Sequence, residues 1–269
     1  MAFHSKLKAF HDRDFLDSDV CRGIRLELEF LKPEVQMQKK RIVSTVVVFG
    51  SARLRPFDQA QRQLEDARLA LKEAPDSAAK QLAVHQAERL LANSKYYDIA
   101  RDFAKKVTIF DKNQNDGHQF VVITGGGPGI MEAGNRGAAD MGGISIGLNI
   151  TLPHEQEPNP YITNDLSFAF HYFSIRKMHF IKLAKAVAAF PGGFGTMDEL
   201  FEVLTLIQTG IIKPIPVLLF GQEFWNQLIN WRKFVDDGVI SPEDLDLFHY
   251  CETAEEGWQV IKDFYKLRE

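Results

Sequence analysis

Chemistry-bearing residues concentrate in one stretch of this 269-residue chain, Pro191-Gly192-Gly193-Phe194-Gly195-Thr196-Met197-Asp198-Glu199. The apolar run before it, 186–190, reads as a short buried strand, and 197–207 carries a helical pattern. A strand, a glycine turn and a helix start together aim backbone N–H groups and the positive end of a helix dipole at an anion, above all a phosphate. Side chains at Gly192, Gly193 and Gly195 would hold such a ligand off the backbone. Thr196 fits a helix N-cap, and its hydroxyl can also reach a phosphate. Glu199 follows one turn later, placed to act on whatever docks at the turn.

Helix geometry separates the acids of this segment. At about 100° per residue, Glu199 points within about 40° of Val203 and about 20° of Leu206, whereas Asp198 and Glu202 share the opposite side with Thr205. Glu199 is therefore the inward carboxylate, and an inward charge without a partner is costly. Its plain alternative role is to favour the dipole at the helix start. In a second helix, 173–183, Arg176 shares a face with Phe173, Phe180 and Leu183. A cation there needs an anion, either Glu199 or a ligand phosphate, unless it only lays its stem along Phe180.

Other elements must carry these groups. Residues 45–49 form a β-branched strand ending in Gly50-Ser51-Ala52-Arg53, which opens the first turn of a doubly wound sheet. Ser51 and Arg53 sit at the ligand edge, although a turn serine needs no ligand. Residues 120–124 form a second strand and run into Gly125-Gly126-Gly127-Pro128-Gly129-Ile130-Met131-Glu132, with a helix following. Neither the dinucleotide fingerprint nor the Walker A pattern fits this turn. Its glycines are expected to touch ligand rather than merely turn the chain, and Glu132 to reach ribose hydroxyls or else to face solvent. Further strands are expected at 143–150, 166–170, 214–220 and 248–251. Helices are expected at 223–236 and after Thr253 and Glu256, which form a capping box. The loop 153–160 is a candidate rim or lid.

Strand and helix alternate, so the expected fold is α/β, a Rossmann-like doubly wound, mostly parallel sheet of about seven strands with helices on both faces. One domain spans 1–269, with a helical extension at 1–42 and a helical insertion at 57–112. The extension's helix is expected to start at Ser18 or Asp19 and stop near Pro33. The insertion reads as a crossover enlarged by a helical hairpin.

Composition is that of a globular protein, 45% hydrophobic and 25% charged with net charge −4. Scattered lysines and arginines argue against nucleic acid as a partner. No run of eighteen apolar residues argues for a membrane span, and no apolar core of a signal peptide opens the chain, so a cytoplasmic location is expected. Cys21 and Cys251 lie too far apart to suggest a disulfide framework or zinc site. His154, His171 and His179 lack metal-ligand spacing and read as structural or rim residues; no metal is expected.

The two glycine motifs, with Arg176-Lys177 between them, resemble the LOG (lonely guy) family, whose members are widely labelled lysine decarboxylase-like. The resemblance covers roughly 46–220 apart from the insertion. It implies a Rossmann-like fold and phosphoribohydrolase activity, in which a nucleoside 5′-monophosphate, AMP or a cytokinin riboside monophosphate, gives free base and ribose 5-phosphate. Matching positions make Glu199 and Arg176 catalytic. The nucleotide would be held by Gly192, Gly193, Gly195 and Thr196, by Gly125, Gly126, Gly127, Gly129, Met131 and Glu132, and by Ser51 and Lys177. No cofactor is implied, and no Schiff-base lysine supports the decarboxylase label. The competing reading is a non-catalytic nucleotide binder resembling molybdenum-cofactor carrier proteins, which hold a phosphorylated pterin on the same fold. The helix at 197–207 is apolar nearly all round, Phe201 included, which together with the family's habit suggests a homodimer or higher homo-oligomer.

Overall fold

The computed structural model describes residues 6–114, 116–151 and 157–267. His154 and the first half of the expected lid, 153–156, lie outside the described residues. In chain order the elements are α1 (Arg13–Asp17), α2 (Arg22–Lys39), β1 (Thr45–Phe49), α3 (Phe57–Glu73), α4 (Ala78–Ala92), α5 (Lys95–Lys112), β2 (Val121–Thr124), α6 (Ile130–Asp140) and β3 (Ser145–Ile150). There follow β4 (Ser167–Phe170), α7 (Phe173–Lys182), β5 (Ala184–Ala189), α8 (Phe194–Gln208), β6 (Val217–Phe220), α9 (Gln222–Leu228), α10 (Trp231–Asp236), β7 (His249–Cys251) and α11 (Ala254–Tyr265). Short 3-10 turns link several of them.

The strands form one seven-stranded sheet in the order β4-β3-β2-β1-β5-β6-β7, and every pairing is parallel. Helices cover both faces, which is why β1, Thr-Val-Val-Val-Phe, is buried at every position instead of alternating with polar residues. Val46 and Val48 join one core with Tyr97, Ala100 and Phe103 of α5, Ile130 and Ala133 of α6, and Trp258 of α11. Val47 and Phe49 join the other with Met37 of α2, Phe180 of α7, Leu200 and Val203 of α8, and Trp225 of α9. Each such fully buried valine contributes on the order of 1.5–3 kcal/mol.

The strand order reverses between β1 and β5. There the chain leaves β1 for a segment whose α5 packs on one face and β5 for α8 on the opposite face, so a crevice opens beyond their carboxyl ends. Helices α3 and α4 pack on each other as the expected hairpin between β1 and β2, while α5 packs along α6.

Three expectations need correction. Helix α2 does not stop near Pro33 but runs through it to Lys39. Proline costs one ladder hydrogen bond there. Pro33 and Met37 are buried against the body, though, and Glu34 pairs with Lys182, so the helix is held from outside. The helix expected over 223–236 is two helices, because Ile229 is extended and Asn230 caps α10 by accepting from the Lys233 amide at 3.1 Å. Finally, α8 begins at Phe194 with Gly193 as its N-cap residue, so Thr196 lies in the first turn and is not the cap.

Candidate active site

A cavity of about 670 Å³ occupies the crevice at the carboxyl ends of β1 and β5. Its floor is the α7–α8 pair. Arg176 comes from the second turn of α7 and Glu199 from the second turn of α8, with Nη1 and Oε1 3.7 Å apart and side chains only 10% and 13% exposed. The guanidinium is fixed by Nε donating to the Leu148 carbonyl at 2.7 Å and lies over the rings of Phe180 and Phe173, at 5.1 and 6.0 Å. The two sequence readings of Arg176 are therefore compatible: its face is aromatic and its head meets Glu199.

Burial works against both charges. Desolvation pushes the Glu199 carboxyl up to about 7, against the pull of Arg176 that favours the anion. It lowers Arg176 in the same way, with Glu199 partly restoring it. Among the described residues, the Glu199 carboxylate and the Thr196 hydroxyl have no hydrogen-bond partner, and both face the cavity. A buried acid near neutral pKa, with free lone pairs and open space in front, is equipped to accept a proton or to stabilise a positive charge.

Above that floor stands the N-terminus of α8. Its first ladder bond is Met197 N–H to the Gly193 carbonyl, so the amides of Phe194, Gly195 and Thr196 are free of helix partners. A Cβ placed on Gly193 or Gly195 would meet nothing within 4 Å, whereas one on Gly192 would strike Thr196 Oγ1 at 2.2 Å. The glycines thus leave the rim open and let Thr196 fold under the turn. Arg53 is exposed on the opposite rim, and it and Arg176 outnumber the one carboxylate lining the cavity, Glu199.

Ser51, Gly125, Met131, Arg176, Gly192, Gly193, Gly195, Thr196 and Glu199 all line this cavity. Ser51 also stitches the two glycine motifs together: its N–H donates to the Pro191 carbonyl at 3.0 Å and its own carbonyl accepts from Ile130 N–H at 3.1 Å.

Gly126, Gly127, Gly129, Glu132 and Lys177 are not brought to the cavity. The carbonyls of Gly126 and Gly127 accept from the buried Asn159 side chain, both at 3.1 Å, and the Gly126 N–H donates to Thr124 Oγ1 at 3.0 Å. Gly129 has φ +73, and a Cβ there would lie 2.3 Å from the Ser51 carbonyl, so it serves the stitch. Glu132 turns to α5, accepting from the Tyr97 hydroxyl at 2.6 Å; burial and this carboxylate hold the phenol well above its ordinary pKa. Lys177 points along the outside of α8, 3.0 Å from Asp198 and 3.2 Å from Glu202. It neutralises the polar side that helix geometry assigned to those two acids.

Several residues at the cavity carried no signal in the sequence. Leu90 of α4, Asn93 just after that helix and Phe224 of α9 form its far wall, so the helical segment between β1 and β2 borders the site. Phe194 occupies the variable position of the glycine motif, is 96% exposed and stands at the lip. The helix boundary would have revealed its free amide. His179 lies away from the cavity, buried between Phe30 and Phe170, and burial lowers its pKa. His171 is exposed and its amide donates to Glu29 of α2.

Among known proteins, the family described as "Possible lysine decarboxylase" matches residues 131–261, which hold Arg176 and the second glycine motif but begin after the first glycine turn. Cytokinin riboside 5′-monophosphate phosphoribohydrolase LOG5 of Arabidopsis thaliana is 28% identical over 170 residues, covering 63% of this chain and 71% of that protein. LOG7 of the same plant and the same printed activity is 43% identical over 90 residues, 33% of this chain and 42% of its own length. A solved Moco carrier protein from Chlamydomonas reinhardtii aligns over 85% of this chain and 99% of its own with 17% identity and a TM-score of 0.45. Over the segment that carries Arg176 and the second glycine motif, the chain is thus similar to the LOG, or lysine decarboxylase-like, family.

Proposed function

We propose that the protein hydrolyses the N-glycosidic bond of a purine or cytokinin nucleoside 5′-monophosphate, releasing the base and ribose 5-phosphate. The observation that carries this reading is the Glu199–Arg176 pair, buried at the floor of a cavity whose rim is an open helix N-terminus. The activity named for the LOG relatives supports it.

In this reading the 5′-phosphate docks on the amides of Phe194, Gly195 and Thr196, with the Thr196 hydroxyl beneath it and the helix dipole favouring its charge. Phosphate binding, remote from the reacting bond, then positions the sugar over the floor. As the base departs, positive charge develops at C1′. The Glu199 carboxylate stabilises that charge and orients, then deprotonates, the attacking water. Arg176, immobilised by the Leu148 carbonyl, keeps Glu199 in place and favours its anionic form. Ser51, Met131 and Phe194 border the space left for ribose and base.

The test is to incubate the protein with a panel of nucleoside monophosphates, AMP first, and to quantify free base by chromatography. Release of base with equimolar ribose 5-phosphate supports the reading. Tight nucleotide binding without release identifies a binding protein instead.

A further inference from the structure

Helix α2 precedes the matched family segment, 131–261, yet it holds the helix that carries Arg176. At about 100° per residue, Glu29, Phe30, Pro33, Glu34 and Met37 fall within about 140° of one another on α2. Pro33 and Met37 are buried, so this is the face turned to the body. Two of its five residues are carboxylates, and a charge turned from water needs a partner. Both have one, and both partners belong to α7 or the turn that opens it.

At the start of α7 the Glu29 carboxylate accepts from the His171 N–H at 2.8 Å and the Tyr172 N–H at 3.1 Å, one oxygen to each. The Arg176 N–H donates to the Tyr172 carbonyl at 3.3 Å, so these two amides precede the ladder of α7 and have no helix carbonyl to meet. A carboxylate there also complements the helix dipole. At the far end of α7, Glu34 pairs with Lys182, whose ammonium lies 4.9 Å over the Phe30 ring. Between the two ends the His179 ring stacks on Phe30 at 5.1 Å. Helix α2 therefore holds α7 at both ends and in the middle.

We propose that Glu29 is a positioning residue for the hydrolytic site, fixing the backbone one turn before Arg176 and so setting the guanidinium against Glu199. This rests on the hydrolytic reading above. Arg176 Nη1 and Glu199 Oε1 stand 3.7 Å apart, beyond a direct hydrogen bond, so the pair does not fix its own separation. The placement of α7 and α8 must do so. The Leu148 carbonyl holds the guanidinium from the sheet, and Glu29 holds the helix start from outside. Glu29 does not line the cavity, so its effect passes wholly through α7. Around Glu199, Arg176 and Lys177 of α7 favour the anion, while burial and Asp198 and Glu202 of α8 oppose it. Loosening α7 weakens only the favourable side.

Two measurements on the full chain test this: a carbon-13 NMR titration of the glutamate carboxyls, and steady-state release of base from AMP. The Glu199 signal is assigned by its absence in Glu199→Gln. In Glu29→Gln, whose neutral amide accepts through one oxygen only, the Glu199 midpoint should rise above the wild-type value of about 7. In the same variant kcat should fall about tenfold with KM within about threefold of wild type. Arg176→Met should set the upper limit of the midpoint shift, and Glu29→Asp, which keeps the charge on a shorter arm, should fall between wild type and Glu29→Gln. Ile261→Val, a buried change in the other core, should move neither reading, which separates positioning from general loss of stability. The proposal is overturned by an unchanged Glu199 midpoint in folded Glu29→Gln, or by a rise in KM with kcat kept. If wild type binds AMP without cleaving it, the hydrolytic reading fails, and the midpoint alone still decides whether Glu29 sets the Arg176–Glu199 pair.

Discussion

Two glycine-rich turns sit side by side at the switch point of this sheet, each between a strand end and a helix start, and the protein uses them differently. At Gly125–Gly129 the backbone is spent on the fold: Asn159 takes two carbonyls, Thr124 takes an amide, and Ser51 packs against Gly129. At Pro191–Thr196 the amides of the helix start have no partner among the described residues, and Gly193 and Gly195 face empty space, with only Gly192 backed by Thr196. The difference shows in what a Cβ would meet: protein at 2.2 Å on Gly126, nothing within 4 Å on Gly193 or Gly195. Glycine spacing alone describes both turns equally well. Only the packing around them separates a scaffold turn from a ligand turn.

The sharpest way to break the comparison is at Glu199, beside the open turn. Glu199→Gln should lower base release by about 10²–10⁴-fold, the usual range for a lost acid–base group. Calorimetric nucleotide affinity should stay within a few-fold of wild type; surviving turnover would remove the proposed role. The scaffold turn should fail differently. Gly126 has φ +74, and a methyl group there collides with the Asn149 side chain, so Gly126→Ala is expected to cost about 1–3 kcal/mol. A denaturant titration would show this as a lower midpoint, while the fraction still folded keeps an ordinary KM.

The next effect is on pH. If Glu199 acts as a carboxylate, kcat/KM should fall about tenfold per pH unit below about 7, a limb absent from the residual activity of Glu199→Gln. Stability has the opposite sign. The folded-state pKa lies above that of an exposed glutamate, so the unliganded protein binds this proton more tightly when folded. That contribution is complete below the unfolded value and is lost as pH rises through about 7. Wild type should therefore lose stability relative to Glu199→Gln over that window in paired thermal melts. The smallest effect belongs to Gly195. Alanine fits the space and raises helix propensity by about 1 kcal/mol, so Gly195→Ala should be as stable as wild type or slightly more so. Its methyl group should weaken nucleotide binding about tenfold; unchanged binding would mean that the phosphate docks elsewhere.

Much of this was legible in the sequence because the signals were local. β1 could be read to the residue, since a strand buried on both faces is a continuous β-branched run. The inward aim of Glu199 followed from helix periodicity. The start of α8 was misplaced because Gly193 and Gly195 are poor helix formers, so the pattern became visible only from Met197. The structural use of Gly126 and Gly127 was hidden because their partner, Asn159, lies more than a helix and a strand away. Leu90, Asn93 and Phe224 were silent for the same reason: their place at the cavity is made by how α4 and α9 pack, not by any local pattern. Pro33 misled because a proline stops a helix only when nothing outside holds it.

The Ser51 stitch bears on how the site comes into being. Its two hydrogen bonds join three loops that are remote in the chain, and they can form only once β1 has paired with both β2 and β5. Contacts of such long range require loop closure first and so come late in folding. Helices such as α5 form from local contacts, and their circular dichroism signal should return early on dilution from denaturant. Nucleotide turnover should return last, so regained activity reports completion of the central sheet and not merely a collapsed, helical chain.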